Sequence, residues 1–372
     1  MLTKLNFQED GWELNEILFD DFNLLVGKSG VGKTRILEAI RKILQSVEFG
    51  AELAAGCSWK IEYERSGRFY SWTAVISEHN NYGFSEAVFK KETIKIDGIE
   101  ILVRDDEQSI FTLEGKKLPR LNNKQSAVAL LQYDDNISPL FESISNLVSS
   151  NASDLESTHW IKTDDNSSLD NIESYEVEFE ELCKMSDVPL LIRIFLLQSS
   201  FPDKFEALVV QFKEIFPTIS SLKISSYYSK ASLIDDSLHS LSLAIKEIGT
   251  EYISDINISS GMAKTFLLLA EVALAPKDAL IIIDEIENSL GLNCLSEVVD
   301  HFLRQSNLQF IITSHHPYII NNVPMKYWKL VTRKGSVVTV KDANSIRGLD
   351  PNSLLSGFVQ LTNLEEFEEA IG

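Results

Sequence analysis

Eight residues constrain this chain more than any other stretch: Gly27-Lys28-Ser29-Gly30-Val31-Gly32-Lys33-Thr34. An apolar run, Phe22-Asn23-Leu24-Leu25-Val26, precedes them and reads as a buried strand. Arg35 to Leu44 follows, with Ile36, Leu37, Ile40, Ile43 and Leu44 on one face at helical spacing. Strand, glycine-rich loop and helix together form the context that gives G-x-x-x-x-G-K-[ST] its meaning. Glycines let successive backbone N–H groups curl around a phosphate with no Cβ in the way. The helix start adds the positive end of its dipole at the same point. Lys33 is expected to reach the β- and γ-phosphates of a nucleotide, and the Thr34 hydroxyl to complete a Mg²⁺ shell. The competing reading, a glycine-rich turn with no ligand, loses ground as the rest of the chain is read.

At 372 residues the chain exceeds a usual single core, so an insertion or a second domain is expected. No apolar stretch approaches the ~18 residues of a membrane span. The best, Val188 to Leu197, is short and carries Arg193. The first seven residues lack a signal-peptide layout, and Cys57, Cys183 and Cys294 are widely spaced. Both facts suit a reducing cytoplasm and no metal–cysteine site. The net charge of −21 argues against broad contact with a phosphate backbone, which needs basic surface.

In chain order, residues 1–26 read as two strands leading into the phosphate-loop strand. Ser58 to Glu64 alternates, and Phe69 to Ile76 is rich in strand formers. Thr93–Ile96, Glu100–Val103 and Ser109–Leu113 are further strand candidates, with a turn at Asp97-Gly98. Residues 126–150 mix helical and polar signals, and 151–172 read as an exposed loop. Tyr175, Val177, Phe179, Leu182 and Met185 form a helical stripe, Leu190–Leu197 a buried helix, and Phe205, Leu208, Val209, Phe212 and Phe216 the core side of another. Leu222-Lys223-Ile224 resembles a strand, and Leu241 to Ile248 reads as helical. Ile258 to Thr265 is read as preceding a helix over Phe266–Ala273.

Ala279 to Ile283 is apolar throughout and ends at Asp284-Glu285. Such a strand belongs in the middle of a parallel sheet, where C-terminal ends carry ligands. Asp284 is then the natural acceptor for Mg²⁺-bound water, and Glu285 orients the attacking water. Gln309 to Thr313 forms another strand, ending at Ser314-His315-His316-Pro317, where a histidine can hydrogen-bond the γ-phosphate. Tyr327–Thr332 and Ser336–Val340 supply two last strands before an acidic tail.

In order, these elements resemble those of the ABC-type ATPases: a Walker A loop at 27–34, a signature at 258–262, a Walker B strand at 280–285 and a switch histidine after the next strand. The resemblance implies an α/β head with a mixed parallel core sheet, an antiparallel β lobe and a helical insertion. It implies that Gly27 to Arg35 of one chain share ATP and Mg²⁺ with Ser259, Ser260 and Gly261 of the next, in a head-to-tail dimer or higher assembly. Lys33, Glu285 and His315 would be catalytic, with Thr34 and Asp284 on the metal. The Ser-His-x-Pro register favours His315 over His316. A glutamine that senses Mg²⁺ is also implied, and both Gln125 and Gln132 fit. The matching divisions are an N-terminal lobe at 1–125, an insertion at 126–250, a C-terminal lobe at 251–345 and a tail at 346–372.

Gly261 lies 228 residues beyond Lys33, a wider spacing than in transporter engines, and no long coiled coil fills it. The chain looks most like the compact OLD-like and RecF-like ATPases, through Asn23 to Gly27, Asp284 to Leu290 and Ser314 to Pro317. It departs from them at Lys28, Ser29, Ile286 and Gly291-Leu292, and Met262 stands where the transporter signature has glutamine. Many of that branch are ATPase subunits of bacterial antiphage or toxin systems. No nuclease motif follows residue 330, so the effector is expected to be a separate protein. The alternative is a RecF-like DNA clamp using Lys90, Lys91, Lys95, Lys116, Lys117, Arg120 and Lys124. A third reading is a scaffold that does not hydrolyse, at odds with intact Lys33, Asp284 and Glu285.

Overall fold

The computed structural model describes residues 1–81, 84–150, 158–162, 177–186, 188–228, 238–254, 257–290, 294–350, 352–353, 355–364 and 367. In chain order the elements begin with β1 (Leu2–Glu9), β2 (Trp12–Leu18), β3 (Phe22–Val26) and α1 (Lys33–Phe49). There follow β4 (Cys57–Arg65), β5 (Arg68–Asn81), β6 (Phe84–Ile96), β7 (Ile99–Asp105), β8 (Ile110–Leu113) and β9 (Lys116–Lys117). Next come α2 (Ala127–Leu130), α3 (Ser138–Ser145), β10 (Leu147–Ser150), β11 (Thr158–Lys162), α4 (Phe179–Lys184), α5 (Leu190–Ser200) and α6 (Pro202–Ile215). The chain continues through β12 (Ile219–Tyr228), β13 (Leu238–Glu247), β14 (Tyr252–Ser254), α7 (Ser260–Ala273), β15 (Leu280–Ile283), α8 (Ile286–Ser289) and α9 (Leu295–Leu303). It closes with β16 (Gln309–Thr313), α10 (Pro317–Asn322), β17 (Trp328–Lys334), β18 (Val337–Asp342) and α11 (Gly357–Thr362). Two compact units result: Met1–Ser149 with Asp278–Asp284 and Gln305–Gly372, and Ser150–Lys277 with Glu285–Arg304.

The first unit is built on a 14-stranded sheet in the order β10-β15-β16-β3-β17-β18-β2-β1-β4-β5-β6-β7-β8-β9. Around the phosphate-loop strand the pairing is parallel, β15 to β16, β16 to β3 and β3 to β17. Every residue of β3, β15 and β16 is buried, which is why these runs lack alternation. From β4 onward the sheet is an antiparallel meander whose strands alternate. So the fold is mixed α/β, with a parallel core and an antiparallel lobe, as the sequence implies. Helix α1 buries Ile36, Leu37, Ile40, Ile43 and Leu44, the stripe read from spacing.

Two buried amides lock the parallel core. Asn23 donates to Phe310 O (3.0 Å) and Asp20 O (2.7 Å), and accepts from Asp20 N–H. Gln309 accepts from Leu2 N–H (2.8 Å) and donates to Leu2 O (2.7 Å), tying the first strand to β16. Each pairs a backbone group that burial would otherwise leave unsatisfied.

The second unit packs α4 to α7 against a four-stranded sheet, β11-β13-β12 with β14 on β13. Here the structure corrects the expected helix at 241–248. Residues 238–247 form β13, paired antiparallel with β11, β12 and β14. Leu241, Leu243 and Ile245 alternate with Ser242, Ala244 and Lys246, the period of two that marks a strand, and the three apolar residues enter the second unit's core. The helical stripe from Tyr175 shortens to α4, and Tyr175 itself lies outside the described residues. The expected loop at 151–172 includes β11; its other residues lie outside the description. Helix α7 begins at Ser260, six residues earlier than expected.

Candidate functional site

In the first unit the phosphate loop leaves β3 and enters α1. The structure leaves no room for side chains at two of its glycines. A Cβ on Gly27 would sit 2.5 Å from Val331 O, and one on Gly32, at φ 104°, would press on Val338 at 3.0 Å. The loop backbone is therefore seated directly on β17 and β18. The Lys33 ammonium folds back over the loop, donating to Gly27 O (2.8 Å) and Lys28 O (3.0 Å). Thr34 opens the exposed side of the first turn, and its hydroxyl lies 3.4 Å from Asp284 Oδ1.

Asp284 follows β15, two strands from β3. The same Oδ1 accepts the Thr313 hydroxyl at 2.5 Å. Thr313 ends β16, the strand between the two, so sheet order alone brings Thr34, Asp284 and Thr313 together. This donor set fits Mg²⁺. It is all oxygen, it carries one carboxylate, and it stands beside a loop built for phosphate oxygens, the arrangement this ion uses in place of an all-protein cage. Among the described residues no group of three or more His, Cys, Asp or Glu could hold a metal. When bound, Mg²⁺ would be held by Thr34 and Asp284 and would offset phosphate charge.

The two histidines after β16 differ in their settings. His316 caps α10, its Nδ1 accepting from Tyr318 N–H at 3.2 Å. His315 is exposed at the strand end. Gln125 does not stand at the loop. Gln125 follows Lys124, whose carbonyl accepts from Ala51 N–H (2.9 Å) just past the end of α1. Helix α1 has 17 residues, about 25 Å at 1.5 Å per residue, so Gln125 sits at the end far from Lys33. Gln132 is half-buried just after α2.

The second unit holds the signature and Glu285. Ser259 caps α7, its Oγ accepting from Met262 N–H at 3.2 Å. Ser260 and Gly261 occupy the first turn, and both serines are exposed. A capped start of a 14-residue helix offers unpaired N–H groups and a positive dipole end to an anion. Glu285 adopts a left-handed backbone, φ 45° and ψ 63°. That conformation costs a bulky residue ~1–3 kcal/mol, and such strain gathers at functional positions. Its carboxylate accepts from Asn288 Nδ2 at 2.5 Å. Thr313 and Asn288 were not singled out from the sequence. Thr313 had one signal, its place at the end of a strand in the same sheet.

The fold and the loop define a P-loop nucleotide-binding α/β protein. The sequence profile of the family described as "AAA domain, putative AbiEii toxin, Type IV TA system" matches residues 22–321, most of the chain. The chain belongs to that family of P-loop ATPases. Among curated proteins none matches it. Of solved structures, the Smc head bound to the C-winged helix domain of ScpA is 14% identical at a TM-score of 0.48, covering 91% of this chain and 96% of that one. The Smc head domain with an extended coiled coil bound to the C-terminal domain of ScpA, derived from Pyrococcus furiosus, is 14% identical at a TM-score of 0.45, covering 91% and 95%.

Proposed function

We propose that this chain is a Mg²⁺-dependent ATPase whose ATP-bridged dimer acts as a conformational switch on a separate effector, a nuclease or toxin, in bacterial antiphage defence. The observation that carries the reading is a pair of anion-accepting surfaces on one chain. One is the glycine loop with Lys33, Thr34 and Asp284; the other is the exposed, capped start of α7 at Ser259 to Gly261. A triphosphate has charge enough for both, and two copies arranged head to tail would each lend one. The toxin system in the family's description supports an effector link. The resemblance to OLD-like ATPases supports the defence setting.

In this scheme Lys33 and the loop N–H groups stabilise charge on the transferred phosphoryl group. Glu285 polarises the attacking water, and His315 bonds the γ-phosphate. ATP favours the closed dimer because the closed form makes more contacts with it, and hydrolysis removes that preference. Turnover is slow, since the product that matters is a conformation.

The test is Glu285→Gln beside wild type, followed by light scattering and phosphate release with and without Mg²⁺-ATP. The expected result is an ATP-dependent dimer in the variant, with hydrolysis reduced at least a hundredfold, the scale of losing a group that acts in the transition state. A variant that hydrolyses at the wild-type rate, with assembly indifferent to nucleotide, would remove both Glu285 and the shared site from the mechanism.

A further inference from the structure

The sheet gives the bound nucleotide a direction. Asp284 lies at the end of β15, two strands from β3 on one side. On the other side, β17, β18 and β2 follow in turn. Register carries the loop end of the sheet across these strands: Val26 is opposite Leu330, Lys334 opposite Val337, and Val337 opposite Glu13. Trp12, the first residue of β2, therefore stands at the same end of the sheet as the phosphate loop, on the flank away from Asp284. A triphosphate with its γ-phosphate toward Asp284 sends its nucleoside toward Trp12.

A planar cation waits on that flank. Arg35, next after Thr34, places its guanidinium carbon 5.6 Å from the centre of the Trp12 ring. Trp12 is only 7% exposed and is braced edge-on by Phe7 at 5.8 Å. It is thus too buried to meet a ligand directly but rigid enough to back one that does. Arg35 is exposed, and among the described residues it makes no ion pair. A guanidinium drawn to an indole can turn its planar face outward, and flat faces of this kind stack on nucleobases.

We propose that Arg35, held on Trp12, is the seat of the nucleotide's base and gives this ATPase its preference for a purine. The proposal rests on the phosphate loop's being the nucleotide site. Its chemistry is stacking, which scales with ring area, so adenine gains more than cytosine.

The test uses the full chain in about 0.15 M salt, where the Debye length is about 8 Å. Calorimetry measures the binding of Mg²⁺-ATP, Mg²⁺-CTP and Mg²⁺-tripolyphosphate to wild type, Arg35→Ala and Arg35→Lys. Arg35→Ala should weaken ATP about tenfold, within the range for losing one stacked base. It should leave tripolyphosphate within about twofold and shrink the ATP-over-CTP preference. Arg35→Lys keeps the charge but loses the plane, so it should behave like Ala toward ATP. Equal losses for ATP and tripolyphosphate would make Arg35 a phosphate ligand and overturn the base seat. So would unchanged ATP binding in Arg35→Ala, or wild type binding tripolyphosphate as tightly as ATP. A wild type that binds neither ATP nor tripolyphosphate would instead remove the phosphate loop's reading, and the base seat with it.

Discussion

Asp284 shows how much a single oxygen can be asked to do. Its Oδ1 accepts from Thr313 and faces the Thr34 hydroxyl. A carboxylate held on one side by a strand-end hydroxyl has fewer ways to turn from a metal than a free one, and such supporting partners commonly tune metal affinity and rate. Replacing Thr313 with valine keeps the shape and removes the donor. A hydrogen bond to a charged group contributes ~1.5–3 kcal/mol, so Thr313→Val should lower kcat about tenfold or more. Raising Mg²⁺ should restore part of that rate, and the melting temperature should hardly move. A rate unchanged at every Mg²⁺ concentration would show that Thr313 does not position Asp284.

Among the elements, the antiparallel lobe has its own internal lock. Glu92 on β6 and Arg104 on β7 form an ion pair in which neither side chain is exposed. Arg104 also donates to Gln125 O (2.9 Å) and Asn122 O (2.8 Å), while Glu92 accepts from Trp72 Nε1 (3.2 Å) and Ala127 N–H (3.0 Å). The pair pins the crossing from β9 into α2. Removing one partner of a buried pair strands the other charge, at ~3–5 kcal/mol. Arg104→Met should cost about that in urea unfolding, and Arg104→Met with Glu92→Leu should recover most of it.

The pH dependence of the single variant follows from the same pair. Burial pushes the Glu92 carboxyl up, with Arg104 opposing, so losing Arg104 raises it further. A carboxyl raised above its unfolded value keeps its full stability below the ordinary carboxylate range and loses it as pH climbs toward the folded value. Arg104→Met should therefore lie closer to wild type near about pH 5 than near about pH 7.5. Equal deficits at both would count against an unpaired Glu92 as the cause.

For the whole molecule, the charge balance bears on the choice of partner. The basic groups that could have served a DNA clamp are mostly engaged by the protein's own carboxylates. Lys90 pairs with Glu107, Lys91 with Asp105 and Glu107, Arg120 with Asp106, and Lys124 with Glu86. Lys116 and Lys117 lie exposed on β9, the edge strand, where lysines discourage pairing with another sheet. With a net charge of −21 around them, these two lysines and the exposed Lys95 supply little counterion release. Fluorescence anisotropy with duplex DNA at ~0.15 M salt should show no binding, and Lys116→Glu with Lys117→Glu should leave ATP turnover unchanged. Salt-steep binding lost in the double variant would restore the clamp reading. No described helix is long and apolar enough to cross a membrane.

What the sequence determined by itself was whatever local chemistry leaves little choice. The loop at 27–34, the strand before it, the stripe of α1, the apolar strands ending at Asp284 and Thr313, and the Asp97-Gly98 turn all specify their form within a few residues. Glycines, caps and unbroken apolar runs act at short range. Tertiary structure decided what depends on neighbours. Leu241 to Ile245 carry a two-residue period too short to exclude a helix, and pairing with β11, β12 and β14 settled it as a strand. Gln125 was placed at the far end of α1 by a backbone bond between Lys124 and Ala51, which spacing cannot reveal. Thr313 met Asp284, and Arg35 met Trp12, because strand order sets which ends stand side by side. Strand order is a property of the whole sheet, settled by pairing between segments hundreds of residues apart.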